Sequence, residues 1–408
     1  LYYSQNRHED AENLYLQLIK ALREQPNPDT AQLTKAYRYR GIYYAERAAR
    51  LLPTGSAQGR TSVPEAIQRQ IEEADAKALA DLEEAIKVDP KDIESRIALG
   101  QYWLLRWNRS NEQDRALPEN HELLAKAEEH YKAAIDMDRF QYVGYLRLAG
   151  LYSLDNRPED ARQVLQERIK LGIKRDHYLA WQNLQMMAVV RNEAFQIDMR
   201  LMATLPQKAK SQDEAQRETA KIRERMEDLY RETVQNTTGG EKDINALYMR
   251  GQLLMLDNKK TESISKLEEA RKQLTGIDPR IERALAIMYV ETNQLGLAAE
   301  TLNRILTLTG GDVTLWMMMA HVQNRLNRYD EAIAAADRVL QIEPKHTGAL
   351  SAKANALAAL GNLEAASILR KQLAADLSQV NPEQAKIMEA ANLMLQAGEK
   401  DPPDPTLF

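Results

Sequence analysis

Along most of the chain the apolar residues return every three to four positions, the spacing of one face of an α-helix, and runs of alternating or β-branched residues are few. Ala, Leu, Glu, Lys, Arg and Gln, all good helix formers, fill the intervals. The pattern predicts helix after helix, joined by short polar turns such as ETNQLG, NRLNRY and ALGNLE. Two columns of small residues fix a period: Ala286, Ala320 and Ala354 recur at a spacing of 34, and so do Ala298, Ala332 and Ala366. A fixed period of this length marks a repeat array built from one supersecondary unit. Asp89-Pro90, Asp278-Pro279 and Glu343-Pro344 close apolar-periodic runs, because proline lacks an amide hydrogen and disfavours a helical residue before it. Each unit therefore reads as a helical hairpin, with a small residue wherever two helices approach closely.

These columns resemble the tetratricopeptide repeat, a 34-residue helix-turn-helix. The fullest match starts at Val313 and carries Trp316, Ala320, Ala332 and Pro344. A unit from Pro279 has Ala286, Tyr289, Ala298 and Leu302, and one from Thr347 has Leu350, Ala354, Gly361 and Ala366. Upstream, Ile244 opens a unit with Gly251, Leu267 and Ala270, and Tyr142 opens one with Tyr145, Ala149, Tyr152, Ala161 and Leu165. The N-terminal third looks like the same repeat with insertions. There Tyr37, Gly41 and Tyr44 answer Ala78, Leu82 and Ala85, and Ala98 and Tyr102 answer Ala127, Tyr131 and Ala134. Residues 1–26, with Ala11, Tyr15 and Leu18, read as a second helix whose partner is missing, so a longer parent protein is expected.

The expected fold is all-α. The resemblance implies an α-solenoid of such repeats wound into a right-handed superhelix, with loop insertions and a C-terminal capping helix. The expected organisation is an N-terminal half over 1–203 with insertions near 53–63 and 108–120, and an irregular junction over 204–240 with one long helix. Four repeats over 241–380, a capping helix over 381–398 and an extended tail over 399–408 complete it. The junction helix carries Ala215, Ile222, Met226 and Leu229 on one side.

In this family the first helices line a concave groove suited to a peptide segment. Carried over unit by unit, the inward positions are Arg147, Tyr248, Gln252, Arg283, Ile287, Met317, His321, Asn324, Ser351 and Asn355. For Ile287 and Met317 the competing reading is simple packing between helices. The residues of the chaperone-tail clamp and the asparagine ladder of sugar-transferase superhelices are absent from the matching positions.

Composition narrows the function. The 408 residues carry 55 Lys and Arg against 60 Asp and Glu, a formal net charge of −5, which leaves no global basic field for nucleic acid. No apolar run is long enough to span a bilayer, so direct membrane insertion is not expected. Cysteine is absent, which closes disulfide and thiolate chemistry and leans weakly toward the periplasmic side of a bacterial envelope. The six histidines, His8, His121, His130, His177, His321 and His346, show no ligand spacing, and no phosphate-binding glycine motif follows a strand. No catalytic residue, metal site or cofactor is expected. The sequence points to a protein-binding scaffold or adaptor whose partner is another protein or peptide segment. Two alternatives stand beside it: self-assembly into a homo-oligomer, or a regulatory or periplasmic arm of a larger enzyme or transporter.

Overall fold

A computed structural model of the chain describes residues 8–51, 63–109, 118–172 and 180–377. Most of both insertions, the capping helix and the tail lie outside these residues. The described residues hold seventeen α-helices and a single 3-10 turn, and no strand. The helices divide between two compact units that meet between Thr237 and Thr238.

The first unit opens with α1 (His8–Arg23) and continues as antiparallel hairpins. These are α2 (Thr30–Arg50) with α3 (Glu65–Val88), α4 (Ile93–Arg109) with α5 (Pro118–Met137), and α6 (Val143–Leu154) with α7 (Pro158–Lys170). A longer pair, α8 (Ala180–Lys208) with α9 (Gln212–Asn236), ends the unit. The second unit repeats the hairpin four times. Its pairs are α10 (Ile244–Leu256) with α11 (Lys260–Lys272), α12 (Pro279–Glu291) with α13 (Leu295–Leu306), α14 (Val313–Arg325) with α15 (Tyr329–Ile342), and α16 (Thr347–Ala359) with α17 (Leu363–Leu377). Within the units first helices touch first helices, as α2 with α4, α4 with α6, α6 with α8, and α14 with α16, while no contact of comparable extent joins the second helices.

Local chemistry sets the helix ends. Several first helices start on side-chain caps: Asp29, Asp243, Asp278 and Asp312 accept from backbone amides two or three positions on, and Asp92 does the same for Ser95. His346 replaces the aspartate in the last hairpin, its Nδ1 accepting from the Ala349 amide at 3.1 Å. The turns inside the hairpins are equally regular. Asn156, Asn258, Asn293 and Asn327 stand at φ between 55° and 59°, and Gly361 takes the same place at 82°. The next amide reaches back to a carbonyl five residues earlier, as Arg328 does to Gln323 at 2.9 Å, which satisfies carbonyls the helix end would otherwise leave bare.

The alanine columns sit where the sequence puts them: Ala286, Ala298, Ala320, Ala332, Ala354 and Ala366 are all at most 1% exposed. Gly41 and Gly251 continue the first column upstream, and there the second helix comes closer still. A Cβ on Gly251 would lie 2.7 Å from Leu267 Cγ, and one on Gly41 would lie 2.7 Å from Leu82 Cγ. In the second unit Leu247, Leu285, Leu302, Leu315 and Val339 form one continuous core.

The buried faces are also stitched by polar contacts. Asp198 of α8, fully buried, accepts from Arg162 of α7 at 2.9 Å and from Arg225 of α9 at 2.8 Å. Asp81 of α3 takes the guanidinium of Arg40 of α2 in two bonds of 2.6 and 2.7 Å. A charge this deep is tolerated only when its partners are supplied by the fold.

Candidate functional site on the first-helix faces

The regular caps give each first helix of the second unit a common register. Counting from Asp243, Asp278, Asp312 and His346, the fifth residue is Tyr248, Arg283, Met317 and Ser351, and the ninth is Gln252, Ile287, His321 and Asn355. Eight of the ten residues marked in the sequence thus fall in two columns, one helical turn apart.

The fifth-residue column reaches for the next hairpin. Tyr248, 3% exposed, lies under the Arg280 guanidinium, 5.5 Å from the ring centre, two residues past the next cap. Arg283 forms an ion pair with the cap Asp312 itself. The Met317 methyl lies against Gly348, so that a Cβ there would be 3.1 Å from it. The first unit repeats the device, with buried Arg38 of α2 bonded to Asp92 at the start of α4. These side chains join successive hairpins, a use the sequence pattern alone did not separate from ligand contact. The signal was present, since each stands opposite a cap one repeat later.

The ninth-residue column opens outward along the unit. Gln252 is buried, Ile287 is half-buried against the core, and His321 and Asn355 are exposed. Asn355 accepts from Arg370 at 3.2 Å. Asn324 donates from Nδ2 to the Ala352 carbonyl at 3.1 Å, tying α14 to α16, and Ser351 is half-buried beside it in sequence. Arg147, in the first unit, is exposed on α6 and takes part in no ion pair among the described residues.

The cap carboxylate of Asp278 is held ionised. Burial alone would raise the Asp278 carboxyl, but the Arg280 side chain, its charge and its backbone amide outweigh that and hold the group below its ordinary value. Glu282, one turn in and 1% exposed, goes the other way, because burial outweighs Arg304 at 3.1 Å and Arg271 at 3.9 Å and pushes it up. Among the described residues no group of three or more His, Asp or Glu is placed to hold a metal, and no helix is long and apolar enough to cross a membrane. A cleft of about 400 Å³ opens between the start of α7, α8 and α9. Its three bases, Arg157, Lys208 and Arg225, are balanced by Glu159, Asp160 and Glu218, so it selects no charge.

The family model of the tetratricopeptide repeat matches residues 313–346, the α14–α15 hairpin with its caps. The α14–α15 hairpin is thus a tetratricopeptide repeat, and the same helical hairpin recurs through the second unit. No curated protein matches the sequence. Among solved structures it is similar to yeast Tom70, at 13% identity over 100% of this chain and 82% of that one, with a TM-score of 0.41. It is also similar to the Cut9–Hcn1 hetero-tetramer of the APC/C, at 14% identity over 84% and 62% and a TM-score of 0.46. A third likeness is YrrB, a tetratricopeptide-repeat protein with an unusual peptide-binding site, at 15% identity over 62% and 94% and a TM-score of 0.32.

Proposed function

We propose that this protein is a scaffold that holds a segment of another protein against the first-helix face of its second unit. The observation that carries the reading is the change along the ninth-residue column, from buried Gln252 to exposed His321 and Asn355. His321, which the hairpins do not consume, is exposed there, with Ile287, Met317 and Ser351 half-buried in the same two columns, while Asn355 already accepts from Arg370. An aliphatic floor with scattered amide, imidazole and hydroxyl groups suits an extended segment that offers backbone hydrogen bonds and one or two apolar anchors. A binding role also fits the chemistry of the face, whose carboxylates are spent on caps and ion pairs.

A photo-crosslinking residue at His321 or Asn355, compared with one at exposed Arg338 on α15, tests this in cells that make the protein. Adducts to one polypeptide from both first-helix positions and none from Arg338 are the expected result. Equal labelling from all three positions refutes the assignment.

A further inference from the structure

Two layers of charge cross the last three helices of the first unit. In one layer buried Asp198 of α8 accepts from Arg162 of α7 and from Arg225 of α9. Two turns earlier on α8, Arg191 donates to Glu232 of α9 at 3.2 Å and opposes the like charge of Arg168 on α7. Each layer holds two guanidinium groups and one carboxylate, in a different order. With Asp198 in the middle both arginines are served, whereas with Arg191 in the middle Glu232 serves that arginine alone.

Arg168 is 3% exposed and Arg191 5%. Arg168 donates from Nη1 to the Gly172 carbonyl at 3.0 Å and forms no ion pair among the described residues. Its Nε and the Nη1 of Arg191 are both buried with no acceptor among the described residues. Asp138 and Tyr145 favour the Arg168 charge without bonding to it, and burial still pushes both guanidinium groups below their ordinary values. A buried cation calls for a negative partner, and a buried open donor calls for an acceptor. A water would satisfy the N–H groups and leave the charge uncompensated, whereas an oxyanion supplies both.

We propose that Arg168 and Arg191 hold a small oxyanion, a phosphate or the carboxylate of a small acid, between α7 and α8. The planar forks of the two arginines match the oxygens of either group. Its charge balances the excess of two guanidinium groups over Glu232, whose own side chain is 45% exposed. Gly172, which anchors Arg168, is half-buried at the end of α7 with open space where a Cβ would stand, a route for an ion of this size. The ligand locks the joint between two successive hairpins, a use independent of any segment held by the second unit.

The test titrates the full chain with sodium phosphate and, separately, with sodium acetate, against chloride at equal ionic strength. Calorimetry should show one saturable site for at least one of the two, and the one that binds names the source. Arg168→Lys keeps the charge and loses the fork, and Arg168→Met loses both; each should weaken binding about tenfold or more, while Arg338→Met on α15 should not. Phosphate stabilises folded chains in general, so thermal melts are read against Arg168→Met. In chloride that variant should melt no lower than the parent, because it removes an unpaired buried charge, and phosphate should raise its Tm less than the parent's. No saturable heat with either anion, or equal affinities in the parent and both Arg168 variants, overturns the proposal. Saturable binding that appears only in Asp176→Asn assigns the pair to a carboxylate of this chain and overturns it as well.

Discussion

The Tyr289 hydroxyl of α12 donates to Glu268 Oε1 of α11, the second helix of the preceding hairpin, at 2.6 Å. The same bond joins Tyr44 to Glu12 and Tyr152 to Glu128, each at 2.8 Å. A cation gathers at each pair: Lys77 and Arg47 at Glu12, Lys132 and Arg157 at Glu128, and Arg271 3.8 Å from Glu268. A ring packed in the core thus fixes one hairpin against the last through its polar tip. Burial, then the bond to Glu268, pushes the Tyr289 hydroxyl up to about 12, so it stays a donor at any physiological pH. Tyr289→Phe keeps the ring and removes the bond. Denaturant unfolding of the full chain should show a loss of about 0.5–1.5 kcal/mol.

The left-handed turn residues make a second prediction. At Asn327, φ is 58° and Oδ1 accepts from the Tyr329 hydroxyl at 2.8 Å. Asn327→Val forces a β-branched residue into that region and should cost about 1–2 kcal/mol, whereas Asn327→Gly should be nearly neutral. Equal unfolding midpoints for the two variants would contradict the assigned turn geometry.

Two glycines should respond with opposite signs to the same change. Gly251→Ala pushes a methyl into Leu267 and should destabilise by about 1–3 kcal/mol. Gly150→Ala meets open space and should stabilise by about 0.5–1 kcal/mol through helix propensity. Thermal melts of the two single variants against the parent chain decide it.

Removing the buried carboxylate of Asp198 leaves Arg162, 6% exposed, without its partner. Asp198→Ala should cost about 3–5 kcal/mol, the usual penalty for orphaning one side of a buried ion pair. Hydrogen exchange should show the loss in α7, α8 and α9 before it shows in the second unit.

Acid should weaken the first unit through Glu12, Asp92 and Glu128. Burial would raise each, but Tyr44 and Lys77 at Glu12, Ser95 and Arg38 at Asp92, and Lys132 and Tyr152 at Glu128 hold all three below their ordinary values. A carboxylate lowered in the folded state stabilises above its unfolded value, near pH 4, and that stability drains as pH falls through the folded value. In the second unit Asp278 behaves the same way, while Glu282, raised by burial, contributes with the opposite sign and offsets it. Melting followed from pH 7 to pH 3 should show protection in the first unit falling faster than in the second.

The helical class, the period of 34 and the alanine columns were legible in the sequence because each is a local or strictly periodic constraint. Small residues at Ala286, Ala320 and Ala354 have one purpose wherever helices cross closely, and the caps at Asp278 and Asp312 act within three residues of themselves. The marked first-helix positions were only half legible. A column of Tyr248, Arg283 and Met317 looks like any outward stripe until the next cap is in place beside it, since the partner lies about 30 residues away. The asparagine turns were visible in ETNQLG and NRLNRY, but their recurrence at one φ shows only when the helices on both sides have defined ends.

The sequence by itself determined the hairpin, its length and its repetition, because backbone hydrogen bonding and amphipathic spacing act over one or two turns. Only tertiary structure decided which side chains are consumed between hairpins and which remain for a partner. That choice depends on the angle at which each hairpin meets the next, and therefore on contacts such as Arg283 with Asp312 and Tyr289 with Glu268, which no local pattern encodes.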